Sequence, residues 1–464
     1  MRHVLIAGYG MVGARLAEEI RRRDPRGRQV RLTVVGDEPA YNRILLPSVV
    51  AGQLDEEQLL THDRGWAFRH RTDLRLGLRV DTVDPLARKA WLSDGQVLAY
   101  DDLVIATGST ARKLPGLDGG FRTLADCRRL RDRDGSVAVL GGGVLGVEVA
   151  VALAERGQDV TLVHPGDVLM DRQLDATAGA IVADVVSRLG VGVRLGQRAN
   201  GWTDRGLRLE DGEVVAADSL VVTAGAIAET GLARSVGADV DAGVLVDDRL
   251  ATSVPGVHAI GDCAQHTGAV SGFVQPGWEQ AEVLADLLTG ADLGARYLGT
   301  PAVARLKARG LDLVSVGSLD GDEELAFSDP RRGRYARVAL DGDRVAGAVV
   351  LGLPDAGAAV TQHFVRGIPA PSDRLGLLLG RALPPESAAH GGPSRLPAEA
   401  EICRCNRVTK RQLVHAWQAG SRSVRQLAGA TRATTGCGTC TDAVDGICSW
   451  LAAADSPDGA ELAG

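Results

Sequence analysis

Four cysteines near the C-terminus form two closely spaced pairs. The first pair is Cys403 and Cys405, and 31 residues separate it from the second pair, Cys437 and Cys440. Thiolates are soft ligands, so four of them from two loops can hold zinc or an iron–sulfur cluster. A C-x-C pair is less typical of structural zinc than C-x2-C, and the sequence between the pairs predicts two short helices instead of a zinc-ribbon hairpin. These residues favour a cluster and leave zinc as the alternative.

The remaining cysteines, Cys127, Cys263 and Cys448, are isolated in the sequence. We expect each of them to be structural. The odd total of seven cysteines in a chain with no other extracellular feature also argues for metal ligands and core residues over disulfides.

A glycine motif, G-Y-G-M-V-G, begins at Gly8, between a predicted strand and a predicted helix. Gly8 permits a tight turn, Gly10 lets the backbone approach a pyrophosphate, and Gly13 lets the helix pack on the strand. The positive end of the helix dipole then faces the phosphates. An acid, Asp37 or Glu38, follows the next strand, where a ribose hydroxyl needs an acceptor. This unit is predicted to bind a dinucleotide.

A second copy of the motif has glycines at Gly141, Gly143 and Gly146 and lies in the same strand and helix context. Its second strand ends in His164 where an acid is expected, so the sequence leaves the choice between NADH and NADPH open. Glu148, which we place on the first turn of the helix, is either a partner of the helix dipole or a polar contact near the nicotinamide.

Length and composition frame these motifs. A chain of 464 residues predicts about three domains, and 45% hydrophobic with 24% charged residues is ordinary for globular proteins. The net charge of -7 argues against nucleic-acid binding. The sequence has no run of 18 apolar residues, and its first residues enter a strand directly, which leaves no room for a signal peptide. We therefore expect a cytoplasmic protein that does not enter a membrane.

Three further segments carry a resemblance. Ala106-Thr107-Gly108-Ser109 looks like an A-T-G-x turn, the segment ending in Gly261-Asp262 looks like a second flavin motif, and the loop 40–46 looks like one whose arginine, here Arg43, contacts a flavin. Together with the two glycine motifs they resemble the flavoprotein reductases with two dinucleotide-binding domains. This resemblance implies FAD on the N-terminal fold and NAD(P)H on the middle fold. It also places Val80, Thr107, Gly108, Gly225, Gly261 and Asp262 at the cofactor sites.

The resemblance implies an α/β fold of the glutathione-reductase type with two Rossmann-like domains. The predicted domains are FAD-binding (1–112 and 240–295), NAD(P)H-binding (113–239), an α+β domain (296–380), a linker (381–399) and a small helical domain (400–454). Residues 36–60 contain no cysteine, so the thiol chemistry of disulfide reductases is not expected beside the flavin.

The segment T-T-G-C-G-T-C at 434–440 resembles the end of bacterioferritin-associated-ferredoxin-like domains, which implies a 2Fe-2S cluster on the four paired cysteines. Nearly the whole chain resembles the N-terminal half of NAD(P)H nitrite reductase large subunits and the electron-transfer subunits of assimilatory nitrate reductases. This implies electron flow from NAD(P)H through FAD and the cluster to a separate partner, most simply a nitrate or nitrite reductase catalytic subunit. No general acid or base is required.

Other functions stay open at this point. The acceptor could be a rubredoxin or ferredoxin, or the chain could be a subunit of an amine or opine dehydrogenase. The C-terminal domain could be a zinc-stabilised docking unit, or the protein could sense NAD(P)H without turnover. No cysteine motif follows Cys448, so we expect no sirohaem domain in this sequence and no nitrite reduction by it.

Overall fold

A parallel β–α–β unit opens the chain, as the alternation of apolar runs and amphipathic segments predicts. The computed structural model describes residues 1–308, 310–380, 393, 396–403, 406–436 and 440–455. The first elements are β1 Arg2–Ala7, α1 Met11–Arg23, β2 Val30–Gly36, α2 Leu46–Val50, α3 Glu56–Leu59, α4 Trp66–Arg69, β3 Asp73–Leu76, β4 Val80–Asp84, β5 Lys89–Leu92, β6 Val97–Ala99, β7 Asp102–Ile105 and β8 Ser109–Ala111. Strands β4, β5 and β6 form an antiparallel meander.

The turn from α1 to β2 is closed by the buried side chain of Asp24. Its carboxylate accepts hydrogen bonds from the backbone N–H groups of Arg28, Gln29 and Val30 at 2.9, 3.0 and 2.9 Å. Burial disfavours the charged form, but these backbone hydrogen bonds outweigh it and lower the pKa of Asp24. The ionised carboxylate thus stabilises the first unit of the fold.

Replacing Asp24 by alanine should destabilise this unit by about 1–3 kcal/mol, because three backbone donors lose their acceptor. Since the folded-state pKa is lowered, the contribution of Asp24 is present above the pKa of the unfolded chain, and it is lost as pH falls through the folded-state pKa. Thermal unfolding measured at a series of pH values checks both points. The variant and the parent should converge in strong acid, whereas the exposed Asp81→Ala should match the parent throughout.

The middle of the chain contains a second β–α–β unit around a four-stranded parallel sheet with strand order β11-β10-β9-β15. A three-stranded antiparallel meander, β12 to β14, lies in the chain between β11 and β15. The elements are α5 Leu124–Arg131, β9 Val137–Leu140, α6 Val144–Glu155, β10 Val160–Val163, α7 Ala176–Arg188, β11 Val191–Arg194, β12 Ala199–Thr203, β13 Gly206–Leu209, β14 Val214–Ala216, β15 Ser219–Val222, β16 Ala226–Ala228 and α8 Gly231–Ser235.

The chain then returns to complete the first sheet. The next elements are β17 Val244–Val246, β18 Val257–Ala259, β19 Ala264–His266 and α9 Val274–Thr289. Strand β18 pairs with β7, giving the parallel order β18-β7-β1-β2-β3, and α9 packs against α1. The first fold is therefore built from two separate stretches of sequence. Strands β8 and β16 pair in an antiparallel ribbon where the chain passes between the two folds.

An antiparallel sheet follows, with strand order β20-β21-β24-β23-β22. Its elements are β20 Val303–Ala308, β21 Leu311–Gly317, β22 Glu323–Asp329, β23 Arg334–Asp341, β24 Arg344–Leu351, α10 Pro354–Arg366 and α11 Leu375–Leu378. Helix α10 packs on β24 and β21. Leu313 and Tyr335 of the sheet join the hydrophobic core around α6 and α7, so this sheet is anchored on the second fold.

The C-terminal part is a small hairpin with three helices: β25 Glu401–Cys403, β26 Val408–Thr409, α12 Lys410–Gln418, α13 Val424–Thr431 and α14 Thr441–Ala454. Helices α12 and α13 are the two helices predicted between the cysteine pairs, and the β25–β26 hairpin was not predicted. Most of the predicted linker 381–399 lies outside the described residues. Within the described ranges, no helix has both the length and the apolar character that crossing a bilayer requires.

Candidate functional site

The first glycine turn meets the three requirements predicted for it. Gly8 has a φ of +117°, and a Cβ there would lie 2.2 Å from the carbonyl oxygen of Ala106. A Cβ on Gly13 would lie 2.0 Å from the carbonyl oxygen of Gly8, so helix α1 approaches the turn too closely for a side chain. A Cβ on Gly10 would meet nothing within 4 Å. The N-terminus of α1 is thus open on one side, as binding of a phosphate group requires.

The second turn repeats this geometry. Gly141 has a φ of +118°, and a Cβ on Gly146 would lie 1.8 Å from the carbonyl oxygen of Gly141. Gly143, the N-cap of α6, again has open space beside it. Each of the two helices therefore begins at a glycine with open space beside it.

One large cavity joins the first glycine turn to the second fold and to the C-terminal domain. Its volume is about 1510 Å³, larger than the roughly 300–1,000 Å³ of a single drug-sized pocket. The predicted site residues that border it are Gly8, Gly10, Asp37, Glu38, Arg43, Val80, Thr107, Gly108, Glu148, Gly261, Asp262, Cys403 and Cys440. Gly13, Gly141, Gly143, Gly146, His164 and Gly225 do not border it. The open turn at Gly10, the carboxylates beside it and the cavity's size fit a dinucleotide cofactor.

Asp262 is held by two side chains. Ser109 Oγ donates to Asp262 Oδ2 at 2.8 Å, and Arg122 Nη2 donates to the same oxygen at 2.7 Å. Arg122 borders the cavity together with Arg43, and burial, followed by repulsion from Arg43, lowers its pKa. Arg122 was not predicted as a site residue, because it lies before α5 in no recognisable motif.

Gln280 on α9 is a second site residue that was not predicted. Its buried Oε1 accepts from the backbone N–H of Gly261 at 2.7 Å, and Gly261 itself has a φ of +78°. Gln280 therefore fixes the turn that precedes Asp262. A polar residue on the otherwise apolar face of α9 was the one signal that could have found it.

The crossing between the two folds is tied by hydrogen bonds. Thr107 Oγ1 donates to the carbonyl oxygen of Glu229 at 2.7 Å, and the Glu229 N–H donates to Gly108 O at 2.9 Å. The carbonyl oxygen of Gly225 accepts from the Arg112 N–H at 3.0 Å. Glu148 is buried at the cavity wall, but it is the fifth residue of α6 and lies beyond the first turn where we placed it.

His164 faces the backbone of the second glycine turn. Its Nδ1 accepts from the Gly142 N–H at 3.1 Å, and its Nε2 lies 3.6 Å from Asp171 Oδ2. Burial lowers the pKa of His164, which keeps the ring neutral near pH 7. A neutral ring is what the hydrogen bond from Gly142 requires, because Nδ1 must then be an acceptor.

Two of the four paired cysteines fall within the described residues. Cys403 ends β25 and Cys440 precedes α14; both are buried, and both border the large cavity. Trp278 of α9 packs in the same hydrophobic cluster as these two thiols and also borders the cavity. Cys405 and Cys437 lie outside the described residues, and among the described ones no group of three or more metal-ligating side chains is present. Soft thiols brought beside the cavity fit an iron–sulfur group.

The isolated cysteines have the surroundings expected of structural residues. Cys127 is buried, and burial raises its pKa to about 11. The buried Cys263 Sγ contacts the carbonyl oxygen of Ile260 at 3.2 Å, and burial raises its pKa as well. Cys448 is partly buried on α14, and burial raises its pKa too. Raised pKa values disfavour the reactive thiolate.

Three family models match the chain. The pyridine nucleotide-disulphide oxidoreductase model matches residues 2–283, the rubredoxin NAD+ reductase C-terminal domain model matches 302–356, and the BFD-like [2Fe-2S] binding domain model matches 401–449. The first match alone covers more than half of the sequence.

Two curated relatives match nearly the whole chain. The assimilatory nitrate reductase electron transfer subunit of Bacillus subtilis is 31% identical, with 97% of this chain and 60% of that protein covered. The nitrite reductase [NAD(P)H] large subunit of Klebsiella oxytoca is 32% identical over 94% of this chain and 48% of that protein. This chain thus spans about half to three fifths of these relatives.

A reductase component of more similar size is also related. The ferredoxin–NAD(+) reductase component of the anthranilate 1,2-dioxygenase system of Burkholderia cepacia is 33% identical, covering 76% of this chain and 92% of that protein. Among solved structures, the covalent putidaredoxin reductase–putidaredoxin complex matches with a TM-score of 0.74 and 25% identity, over 84% of this chain and 99% of that one. The predicted fold class, the predicted FAD and NAD(P)H cofactors and the 2Fe-2S character of the C-terminal domain are confirmed by these matches.

Proposed function

Because this chain belongs to the pyridine nucleotide-disulphide oxidoreductase family, we propose that it carries electrons from NAD(P)H to a separate acceptor protein, the catalytic part of an assimilatory nitrate or nitrite reductase. One observation carries the proposal. A single cavity is bordered by the first glycine turn, by Glu148 of the second fold, and by Cys403 and Cys440 of the C-terminal domain. An entry point and an exit point for electrons thus meet in one place.

Electrons leave a nicotinamide as a hydride pair and enter an iron–sulfur centre singly, and a bound flavin supplies the chemistry that converts one to the other. The residues of the chain position these groups. The N–H groups at the start of α1 and α6 would receive phosphates, and Asp37 or Glu38 would accept from a ribose hydroxyl. Asp262, fixed by Ser109 and Arg122, would accept from the ribityl chain.

The cysteines Cys403, Cys405, Cys437 and Cys440 would ligate the 2Fe-2S group. Trp278, buried in the same hydrophobic cluster as Cys403 and Cys440, borders the cavity between these thiols and the flavin-site residues. The domain bounds and site residues stated from the sequence belong to the same proposal, as does a cytoplasmic location. No acid or base is assigned to the reaction, and Glu148 is proposed only as a polar contact near the nicotinamide.

A second acceptor class has specific support. The related anthranilate dioxygenase component is a ferredoxin reductase, and the matched solved structure is a complex of putidaredoxin reductase with putidaredoxin. A free ferredoxin or rubredoxin is therefore the alternative partner.

Anaerobic stopped-flow reduction with NADH and with NADPH, followed by addition of purified acceptors, tests the proposal. We expect bleaching of the flavin band, then appearance of the rhombic paramagnetic signal of a reduced 2Fe-2S centre, then oxidation by the nitrate reductase catalytic subunit. One zinc per chain with a flavin spectrum alone would contradict the cluster. Rapid oxidation by ferredoxin but not by the nitrate reductase subunit would favour the alternative partner.

A further inference from the structure

The loop 40–46, which carries Arg43, is hydrogen-bonded to the segment 432–436, which directly precedes Cys437 in the sequence. Asn42 is 5% exposed, and its Nδ2 donates to the carbonyl oxygen of Gly436 at 2.8 Å and to that of Thr435. Its Oδ1 accepts from the Ile44 N–H at 3.0 Å. Both ends of the amide are thus in use, one within the flavin-site loop and one across the domain boundary.

The segment 432–436 is also held from its own domain. Asn406 Nδ2 donates to the carbonyl oxygen of Arg432 at 2.5 Å and to Thr435 Oγ1 at 3.0 Å. Arg432 and Thr434 both have positive φ values, +65° and +68°, so this segment bends in a conformation that side-chain-bearing residues seldom adopt. Such a segment keeps its shape only when its surroundings fix it.

Asn42 does not border the large cavity, although its neighbours Tyr41 and Arg43 do. It borders a separate space of about 30 Å³ between the first fold and the C-terminal domain, together with Met11, Trp278 and Gly436. This space can hold about one water molecule. Asn42 does not itself form the wall of the flavin site, and an aspartate or a serine at this position keeps an oxygen that can accept from the Ile44 N–H.

We propose that Asn42 is a positioning residue that fixes the cysteine-bearing loop of the C-terminal domain relative to the flavin-site loop, and so sets the distance over which single electrons pass. The proposal rests on the proposed function, because it assumes that electrons pass between these two places. The rate of electron transfer falls with the distance between the two redox groups, so a displaced cysteine-bearing loop slows the step.

The chemistry of the amide explains the choice of residue. Two backbone carbonyl oxygens face Nδ2, and an N–H donor satisfies both. An aspartate has the same shape but only acceptor oxygens, so it would place a buried negative charge against two carbonyl dipoles. Asn42→Asp should therefore repel the carbonyl groups of Thr435 and Gly436. Asn42→Ser should remove most of the hydrogen bonding to them without adding a charge.

The experiment compares Asn42→Asp and Asn42→Ser with a matched control, Asp55→Asn. Asp55 also crosses this boundary, pairing with Arg425 at 3.1 Å, but both side chains are exposed, so the pair contributes little to stability. Anaerobic stopped flow measures flavin bleaching by NAD(P)H and the later growth of the 2Fe-2S signal. Iron and sulfide analysis and hydrogen exchange of the peptide covering 423–436 are recorded on the same samples.

We expect both Asn42 variants to keep flavin bleaching at the parent rate, to keep about two irons per chain, and to slow growth of the 2Fe-2S signal several-fold. Hydrogen exchange in 432–436 should rise in both variants and stay unchanged in Asp55→Asn. Parent-like signal growth in both variants would overturn the proposal, as would loss of iron from both, which would make Asn42 a residue for cluster assembly. A parent protein without a 2Fe-2S signal would instead refute the proposed function.

Discussion

Replacing Cys440 by serine should remove the iron–sulfur group and leave the flavin in place. Cys440 is buried, and it lies in the hydrophobic cluster that contains Cys403 and Trp278. A serine hydroxyl is a harder and far less acidic ligand than a thiol, so the set of four soft ligands is broken. Iron and acid-labile sulfide should fall from about two per chain to near zero. Transfer to the acceptor protein should stop, while NAD(P)H still bleaches the flavin.

A matched control lies in the same domain. Cys448 is partly buried on α14, and we assign it no ligand role. Cys448→Ser should therefore retain iron, sulfide and electron transfer to the acceptor. Equal loss of iron in both variants would show only that the domain tolerates no change, and retention of full iron content in Cys440→Ser would remove Cys440 from the ligand set.

Introducing a carboxylate at one glycine turn at a time should show which turn binds which cofactor. Gly10 and Gly143 are N-caps with φ values of -83° and -74°, and a Cβ at either position would meet no atom within 4 Å. Aspartate is a preferred N-cap residue, so neither substitution should lower stability. However, the new carboxylate would face the cofactor's pyrophosphate. Repulsion between the two negative charges should weaken the free energy of cofactor binding by several kcal/mol, on the order of 100-fold or more in affinity.

The expected results differ for the two positions. Gly10→Asp should yield a folded protein without FAD, and Gly143→Asp should yield a yellow protein that NAD(P)H reduces at least about 100-fold more slowly at low nucleotide concentration. Absorbance at purification and stopped-flow reduction measure the two effects, and circular dichroism verifies folding. If Gly143→Asp instead lost FAD and Gly10→Asp kept it, the assignment of the two folds would be reversed.

The glycine turns could be predicted from sequence because their function is a property of the local backbone. Gly8 and Gly141 need positive φ, and Gly13 and Gly146 need close packing between neighbouring elements. Because these requirements involve only a few neighbouring residues, a short sequence motif is enough to predict them. The two short helices between the cysteine pairs were predicted for the same reason, since helical periodicity is local.

Contacts between distant parts of the sequence could not be predicted in this way. Asn42 and Gly436 are 394 residues apart, and Arg122 meets Asp262 across 140 residues. Neither Asn42 nor Arg122 belongs to a sequence pattern that predicts the residue it contacts. His164 shows the opposite case. Its position directly after β10 was predicted correctly. Its ring, however, accepts a hydrogen bond from the Gly142 N–H and does not border the cavity.

The order of strands in the first sheet has a consequence for biosynthesis. Strand β7 ends at residue 105, but its partner β18 begins at residue 257, after the whole second unit has been made. The ribosome adds about 5–20 residues per second, so β7 lacks its β18 partner for roughly 8–30 s after it is made. The inserted unit, whose parallel strands all lie between residues 137 and 222, can fold during that delay. The nascent chain is therefore expected to complete its second fold before its first.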